Sequence, residues 1–253
     1  MADPLVALLA GFVLATVTTP VGVSGAVFLL PVQLSVLHVP NPQVTPTNLL
    51  YNVVSGPAGV VRYLRSGRLD RPLARLIVSG SVPGVVLGAL IRVYAAADPD
   101  VFRLLAATVL VPVGLVVLRP PVPVARDLSP RAVRGLALVV GTIGGVYGVG
   151  GGSLVAPLLV GSGMAVATVA PAALLSTWLT SLVGVATYAV IALHAPGTVE
   201  PRWSVGLAAG LGGLAGGWLG ASLQPRLPDR ALRTTLGVLA LALAGLYVVQ
   251  AVT

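Results

Sequence analysis

Two short stretches of this chain set glycine beside serine or threonine inside apolar surroundings: Thr18-Thr19-Pro20 through Ser24-Gly25, and Gly150-Gly151-Gly152-Ser153. These residues carry no charge. Where a helix restarts after a break, however, its first amides have no intrahelical acceptor, and the helix dipole makes that end slightly positive. A broken apolar segment therefore offers N–H donors to an anion without any cationic side chain. The candidate donors are Ser24 and Gly25, just before the arm 26–37, and Gly150, Gly151, Gly152 and Ser153 in the second stretch. Thr18 and Thr19 add hydroxyls at the end of the preceding arm. Glycine also lets the backbone touch a ligand. The same glycines would equally serve a chain that needs only to turn and pack.

A polar stripe follows each break. Thr45-Pro46-Thr47-Asn48 reads as a helix start, with a capping residue before proline. Asn48, Asn52 and Ser55 then fall at spacings of four and three, on one face of that helix. Ser176, Thr177, Thr180 and Ser181 form the matching stripe later in the chain. Polar groups in an apolar helix should face the protein interior, where they line a path for solute or bond neighbouring helices at about 1 kcal/mol per contact. Asn48, Asn52, Ser55, Thr177 and Thr180 are the candidates for the first role. His38 and His194 sit near segment ends and read as interfacial rather than proton-handling. Trp178, Trp203 and Trp218 divide between helix packing and the interfacial belt.

Several chemistries are not supported. No Asp, Glu, Lys or Arg lies near the centre of an apolar run, so a carboxylate proton relay is not expected. Gly148-Val149-Gly150 lacks a preceding strand and a downstream acid for a nucleotide, and no phosphate-loop lysine is present. No group has metal-ligand spacing, no nucleophile has a His and acid partner, and cysteine is absent. No cofactor, no metal and no enzymatic activity are expected.

The elements that must position these residues follow from composition. The 253 residues are 56% hydrophobic and 9% charged, with a mean hydropathy of +0.98. A soluble surface uses about 25% charged residues, so the expected solvent is lipid. The net charge of +8 is carried by arginines in short loops, where they act as orientation signals rather than as a nucleic-acid surface. Met1-Ala2-Asp3-Pro4 has no basic leader and no cleavage site follows, so the first segment is expected to be retained.

Apolar runs fall at 4–37, 46–64, 72–94, 100–118, 132–163, 168–193, 202–223 and 231–252. A crossing needs about 20 residues, so six runs fit one crossing. The two that are too long, 4–37 and 132–163, are the two that contain the breaks. Loops carrying Arg62 to Arg75, Arg119 to Arg134 and Arg226 to Arg233 have net charges of +4, +3 and +2. Eight plain crossings would put the last two on opposite sides, against the positive-inside rule. Two re-entrant hairpins would put all three in the cytoplasm. Each half, 1–119 and 131–253 around a linker at 120–130, is then a hairpin plus three helices of opposite orientation, an inverted repeat. Register supports the duplication: Gly22 matches Gly148, Gly25 matches Gly151 and Pro31 matches Pro157. Further on, Tyr63 matches Tyr188, and Gly80, Gly84 and Gly88 match Gly212, Gly216 and Gly220. The expected fold class is an all-α integral membrane protein built from two such repeats.

The Gly-Val-Gly-Gly-Gly-Ser run ending at Ser153, with Pro157 after it and a weaker copy from Pro20 to Pro31, resembles the TauE/SafE family of sulfite exporters. The likeness spans nearly the whole chain; the first copy departs from the richer glycine and aromatic pattern of the family. The resemblance implies a carrier of small sulfur-containing anions, chiefly sulfite or organosulfonates, usually moved outward, and a multi-pass protein of a prokaryotic plasma membrane. Its partners would be a small anionic substrate and the lipid bilayer, with no nucleic acid; a homodimer is one assembly the sequence admits. A channel of the same fold and a non-transporting membrane scaffold are the alternative readings.

Overall fold

A computed structural model describes residues 2–94, 111, 114–115, 117–118, 128–193 and 200–252. The described chain forms α1 (Ala2–Thr18), a 3-10 turn (Thr19–Val21), α2 (Ala26–Ser35), α3 (Asn41–Arg65) and α4 (Arg71–Tyr94). It continues with α5 (Pro130–Tyr147), α6 (Gly151–Gly161), α7 (Val166–Ala192), α8 (Trp203–Leu223), a second 3-10 turn (Gln224–Arg226) and α9 (Asp229–Val252). No strand occurs among the described residues. Five helical stretches, Asp3–Val21, Arg71–Tyr94, Val166–Ala192, Trp203–Arg226 and Asp229–Val249, are long and apolar enough to cross a bilayer. The chain is an all-α integral membrane protein. Most of the expected helix at 100–118, most of the linker at 120–130, and His194 lie outside the described residues.

Helix α3 starts one turn before the expected site. It begins at Asn41, so Pro46 lies inside it, as Pro171 lies inside α7. A proline this near a helix start removes a single backbone bond, which explains why the helix runs through it. With 25 residues, α3 is long enough to cross, but its polar stripe keeps it out of the apolar set. That stripe is buried: Asn48 is 0% and Asn52 2% exposed.

Both long runs fold as two arms joined at a break. The arms hold 17 and 10 residues in α1 and α2, and 18 and 11 in α5 and α6. At about 1.5 Å per residue the long arms reach roughly 25 Å and the short ones roughly 15 Å. Each long arm ends on a glycine in the left-handed region, Gly22 at φ 77° and Gly148 at φ 69°. Their N–H groups close back onto Thr19 O and Gly144 O. A Cβ would be strained at these torsions, which is why glycine recurs at both turns.

The long arm of each half packs on a helix of the other half. In α8, Gly212, Gly216 and Gly220 lie on the backbone carbonyls of Leu8, Phe12 and Thr16 in α1. In α4, Gly80, Gly84 and Gly88 lie on those of Arg134, Leu138 and Thr142 in α5. Residues four apart on one helix meet residues four apart on the other in ascending order, so each pair runs parallel. Any side chain at these glycines would enter the partner backbone, so the small-residue faces set the interaxial distance.

Helix directions follow from further contacts. Leu50 and Val54 of α3 meet Gly206 and Gly210 of α8, so these two helices run the same way. Ala74 and Val78 of α4 lie beside Leu175 and Leu179 of α7, and Val85 meets Gly184, another parallel pair. At one end of the bundle Arg202 pairs with Asp3 at 3.6 Å, donates to Leu37 O at 3.2 Å, and its N–H donates to Thr47 Oγ1 at 2.8 Å. The start of α1 and the exit of α2 therefore meet at the same end. At the other end Arg62 Nε donates to Ser222 Oγ at 2.9 Å and its guanidinium lies 5.8 Å from the Trp218 ring centre. The arginines at the α3–α4 connection, the α5 start and the α8–α9 turn share that end.

Candidate functional site

The two breaks meet in the interior. The Ser24 N–H, in the first break, donates to Ser153 Oγ, at the start of α6, over 3.1 Å. Asn52 of α3 ties both breaks to one helix: its Oδ1 accepts from Ser24 Oγ, and its Nδ2 donates to Gly148 O at 3.4 Å. Asn48, one turn earlier, donates to Ala26 O at 3.2 Å, while its own buried Oδ1 has no partner. On the opposite wall Ser153 Oγ lies 3.2 Å from Thr177 Oγ1, and the Gly151 N–H donates to Thr180 Oγ1 at 3.1 Å. These groups are all buried and uncharged.

Hydroxyls occupy the acceptor positions expected for an anion. Ser153 Oγ takes the Ser24 amide, Thr180 Oγ1 the Gly151 amide, and Ser24 Oγ the Ala26 amide at 3.1 Å. The cavity beside them has a volume of about 20 Å³, close to the room one water needs. Thr19, Ser24, Gly25, Asn52, Ser55 and Thr177 line it, so six of the sequence-derived candidates converge on one cavity. In this arrangement the Ser24, Ala26 and Gly151 amides are satisfied by neutral oxygens.

The other candidates lie around this cavity rather than on it. Thr18 Oγ1 bonds Leu14 O in its own helix at 2.9 Å. Gly152 sits against the Ala173 carbonyl, where a side chain would separate α6 from α7. Gly150 adopts φ 75° and lies against Thr177 and Ser181. Thr180 also donates to Ser176 O at 2.7 Å. For these residues the packing role is visible in the contacts. His38 is exposed, at φ 47°, with its carbonyl turned to Arg202.

Several residues that the sequence does not assign to the site take part in it or brace it. Tyr51 and Trp178 line the cavity, and Trp178 Nε1 donates to Val53 O at 3.3 Å. Tyr51 sits one turn before Ser55, so extending the polar stripe to amphipathic rings would have found it. Tyr63 donates to Thr19 O at 3.2 Å and Tyr188 to Gly145 O at 3.4 Å, so each tyrosine holds the end of a long arm at corresponding positions. Gln224, in the turn after α8, donates to Pro20 O at 2.6 Å. Gln33 is fully buried with neither amide atom partnered, and Arg233 is 7% exposed with an unpartnered Nε. An isolated polar residue in an apolar run gives no periodic signal, which is why these were missed.

A comparison with protein families matches the family described as sulfite exporter TauE/SafE to residues 7–247. No curated protein and no solved structure matches the chain.

Proposed function

Because the chain belongs to the sulfite exporter TauE/SafE family, we propose that it is a secondary transporter of a small sulfur-containing anion such as sulfite or an organosulfonate, working as an exporter by alternating access. The observation that carries the reading is the junction of the two breaks. Amides and hydroxyls from both halves meet there without a formal charge: hydrogen bonds link Ser24, Asn52, Ser153 and Thr177, and Ser24, Asn52 and Thr177 line the adjoining cavity.

Binding is an exchange of acceptors. An oxyanion oxygen replaces the neutral Ser153 or Ser24 oxygen at an amide, and hydrogen bonds to an ionised acceptor are about twice as strong as neutral ones. The displaced hydroxyls rotate and become donors to the same anion. A pyramidal oxyanion presents several acceptor oxygens, which suits a ring of donors better than a single cation would. A cavity of about 20 Å³ must widen to admit such a solute. That supports a carrier with closed states over a permanently open channel.

The crossed packing of α1 on α8 and α5 on α4 suits two inverted repeats that rock about the shared tips. With the arginine-bearing end in the cytoplasm of a prokaryotic cell, both hairpins re-enter from opposite faces. An inside-negative potential contributes about 2.3 kcal/mol per charge per 100 mV toward anion exit, so no buried carboxylate is needed to drive export.

The test is a flux screen in proteoliposomes with sulfite, thiosulfate, sulfoacetate, taurine and sulfate. Saturable transport of at least one anion, with counterflow, is the expected outcome. Absence of flux for all five, or an ohmic current without saturation, would remove the carrier reading.

A further inference from the structure

A second recess, which shares no lining residue with the junction cavity, lies against another face of α7 at the arginine-rich end of the bundle. It has a volume of about 560 Å³, in the range of ligand-binding clefts, and is formed by the end of α3, the start of α4 and the middle of α7. Its wall is apolar: Leu69, Val78, Leu175 and Leu179 face it. Its mouth is not. Arg71 and Arg75, one turn apart on the same face of α4, stand at the rim and are both exposed. Neither has an ion pair among the described residues. The adjacent acid, Asp70, is committed to the helix start, where its Oδ1 accepts the Leu73 N–H at 2.9 Å.

We propose that this recess is a binding site for an anionic diacyl phospholipid. The charge distribution selects the occupant. Two unpaired guanidiniums at the membrane surface call for a phosphate headgroup, and basic recesses between membrane helices are suited to anionic lipids. From Arg71 to Val78 the groove descends about 10 Å along α4, at 1.5 Å per residue, into surroundings where only an acyl chain is a fitting partner. A free phosphate would use the arginines and leave the leucines uncovered. A zwitterionic lipid would cover the leucines and leave the net charge of the rim uncompensated. The site also sits where α4 of one half meets α7 of the other, so its occupant touches both halves. The proposal rests on the chain spanning a membrane and not on what it transports.

Native mass spectrometry of the detergent-solubilised protein, titrated with phosphatidylglycerol and with phosphatidylcholine of the same acyl chains, tests it. Phosphatidylglycerol should bind the more tightly. The double variant Arg71→Gln/Arg75→Gln should weaken phosphatidylglycerol by roughly thirtyfold, at about 1 kcal/mol for each arginine, and leave phosphatidylcholine unchanged. Arg65→Gln/Arg68→Gln removes the same charge from the same end without touching the recess, and should keep the preference. Ser79→Trp, which fills the groove and keeps both arginines, should weaken both lipids. Equal binding of the two lipids overturns the proposal. So does an equal loss from the Arg65/Arg68 pair, an unaffected Ser79→Trp variant, or full displacement of phosphatidylglycerol by inorganic phosphate.

Discussion

Replacing Asn52 with leucine keeps the number and branching of the side-chain heavy atoms and removes a side chain that hydrogen-bonds to both breaks. The Ser24 hydroxyl would lose its acceptor and Gly148 O its donor. The second bond, at 3.4 Å, is long and contributes least. A buried hydroxyl left without its acceptor costs about 1–3 kcal/mol, so the folded state should survive. For a chain of this size that corresponds to a fall in Tm of about 2–4 °C per kcal/mol. The effect on transport should be larger than the effect on folding. A hydrogen bond to a charged ligand contributes about 1.5–3 kcal/mol, so losing one weakens anion binding by roughly 10- to 150-fold. The assay is sulfite flux into proteoliposomes over a range of concentrations, beside a thermal melt of the same preparation. The expected result is a monodisperse protein with a modest Tm loss and a half-saturation concentration raised at least tenfold. A variant that melts as expected but transports with unchanged half-saturation and maximal rate would show that Asn52 serves packing alone. The reasoning about the junction would then fail.

Thr177→Val removes a cavity-lining hydroxyl with little change of shape, and should raise the half-saturation concentration for sulfite while lowering stability in a thermal melt by only about 0.5–1.5 kcal/mol. Gly84→Val should abolish the recovery of monodisperse protein on size exclusion, because its Cβ would enter the Leu138 carbonyl; Gly135→Ala, with open space around it, should be recovered as the parent protein is. Tyr63→Phe and Tyr188→Phe should each lower stability by about 0.5–1.5 kcal/mol in thermal melts, since each frees a carbonyl at the end of a long arm. The chain has no native cysteine, so single cysteines report sidedness directly. Arg68→Cys and Ser162→Cys should label from one side of the membrane and Gln43→Cys from the other; labelling of Ser162→Cys and Gln43→Cys from the same side would contradict the hairpin topology.

Much of the architecture was legible because it rests on local chemistry. The two breaks could be located because glycine at a left-handed turn, as at Gly22 and Gly148, is a requirement of one or two residues. The polar stripe on α3 could be placed because helical periodicity puts Asn48, Asn52 and Ser55 on one face whatever packs against it. The start of α3 was misjudged by a turn, since two prolines compete as start signals and only the path of the preceding loop selects between them.

The partners of these elements were not legible. A glycine face such as Gly212, Gly216 and Gly220 announces that a helix will approach closely, but its neighbour α1 is chosen by shape across about 200 residues of chain. The same holds for the Ser24 amide, whose acceptor is the hydroxyl of Ser153 in the other half, and for Tyr51 and Trp178, which reach the cavity only once α3, α7 and α8 are assembled. By itself, then, the sequence determined the lipid environment, the two interruptions and the absence of charge in the apolar runs, because composition, torsion and periodicity act within a few residues. The meeting of the two interruptions, the capture of the Ser24 and Gly151 amides by hydroxyls and the small cavity beside them were decided by tertiary structure, because long-range packing alone brings residues some 130 positions apart within hydrogen-bonding distance.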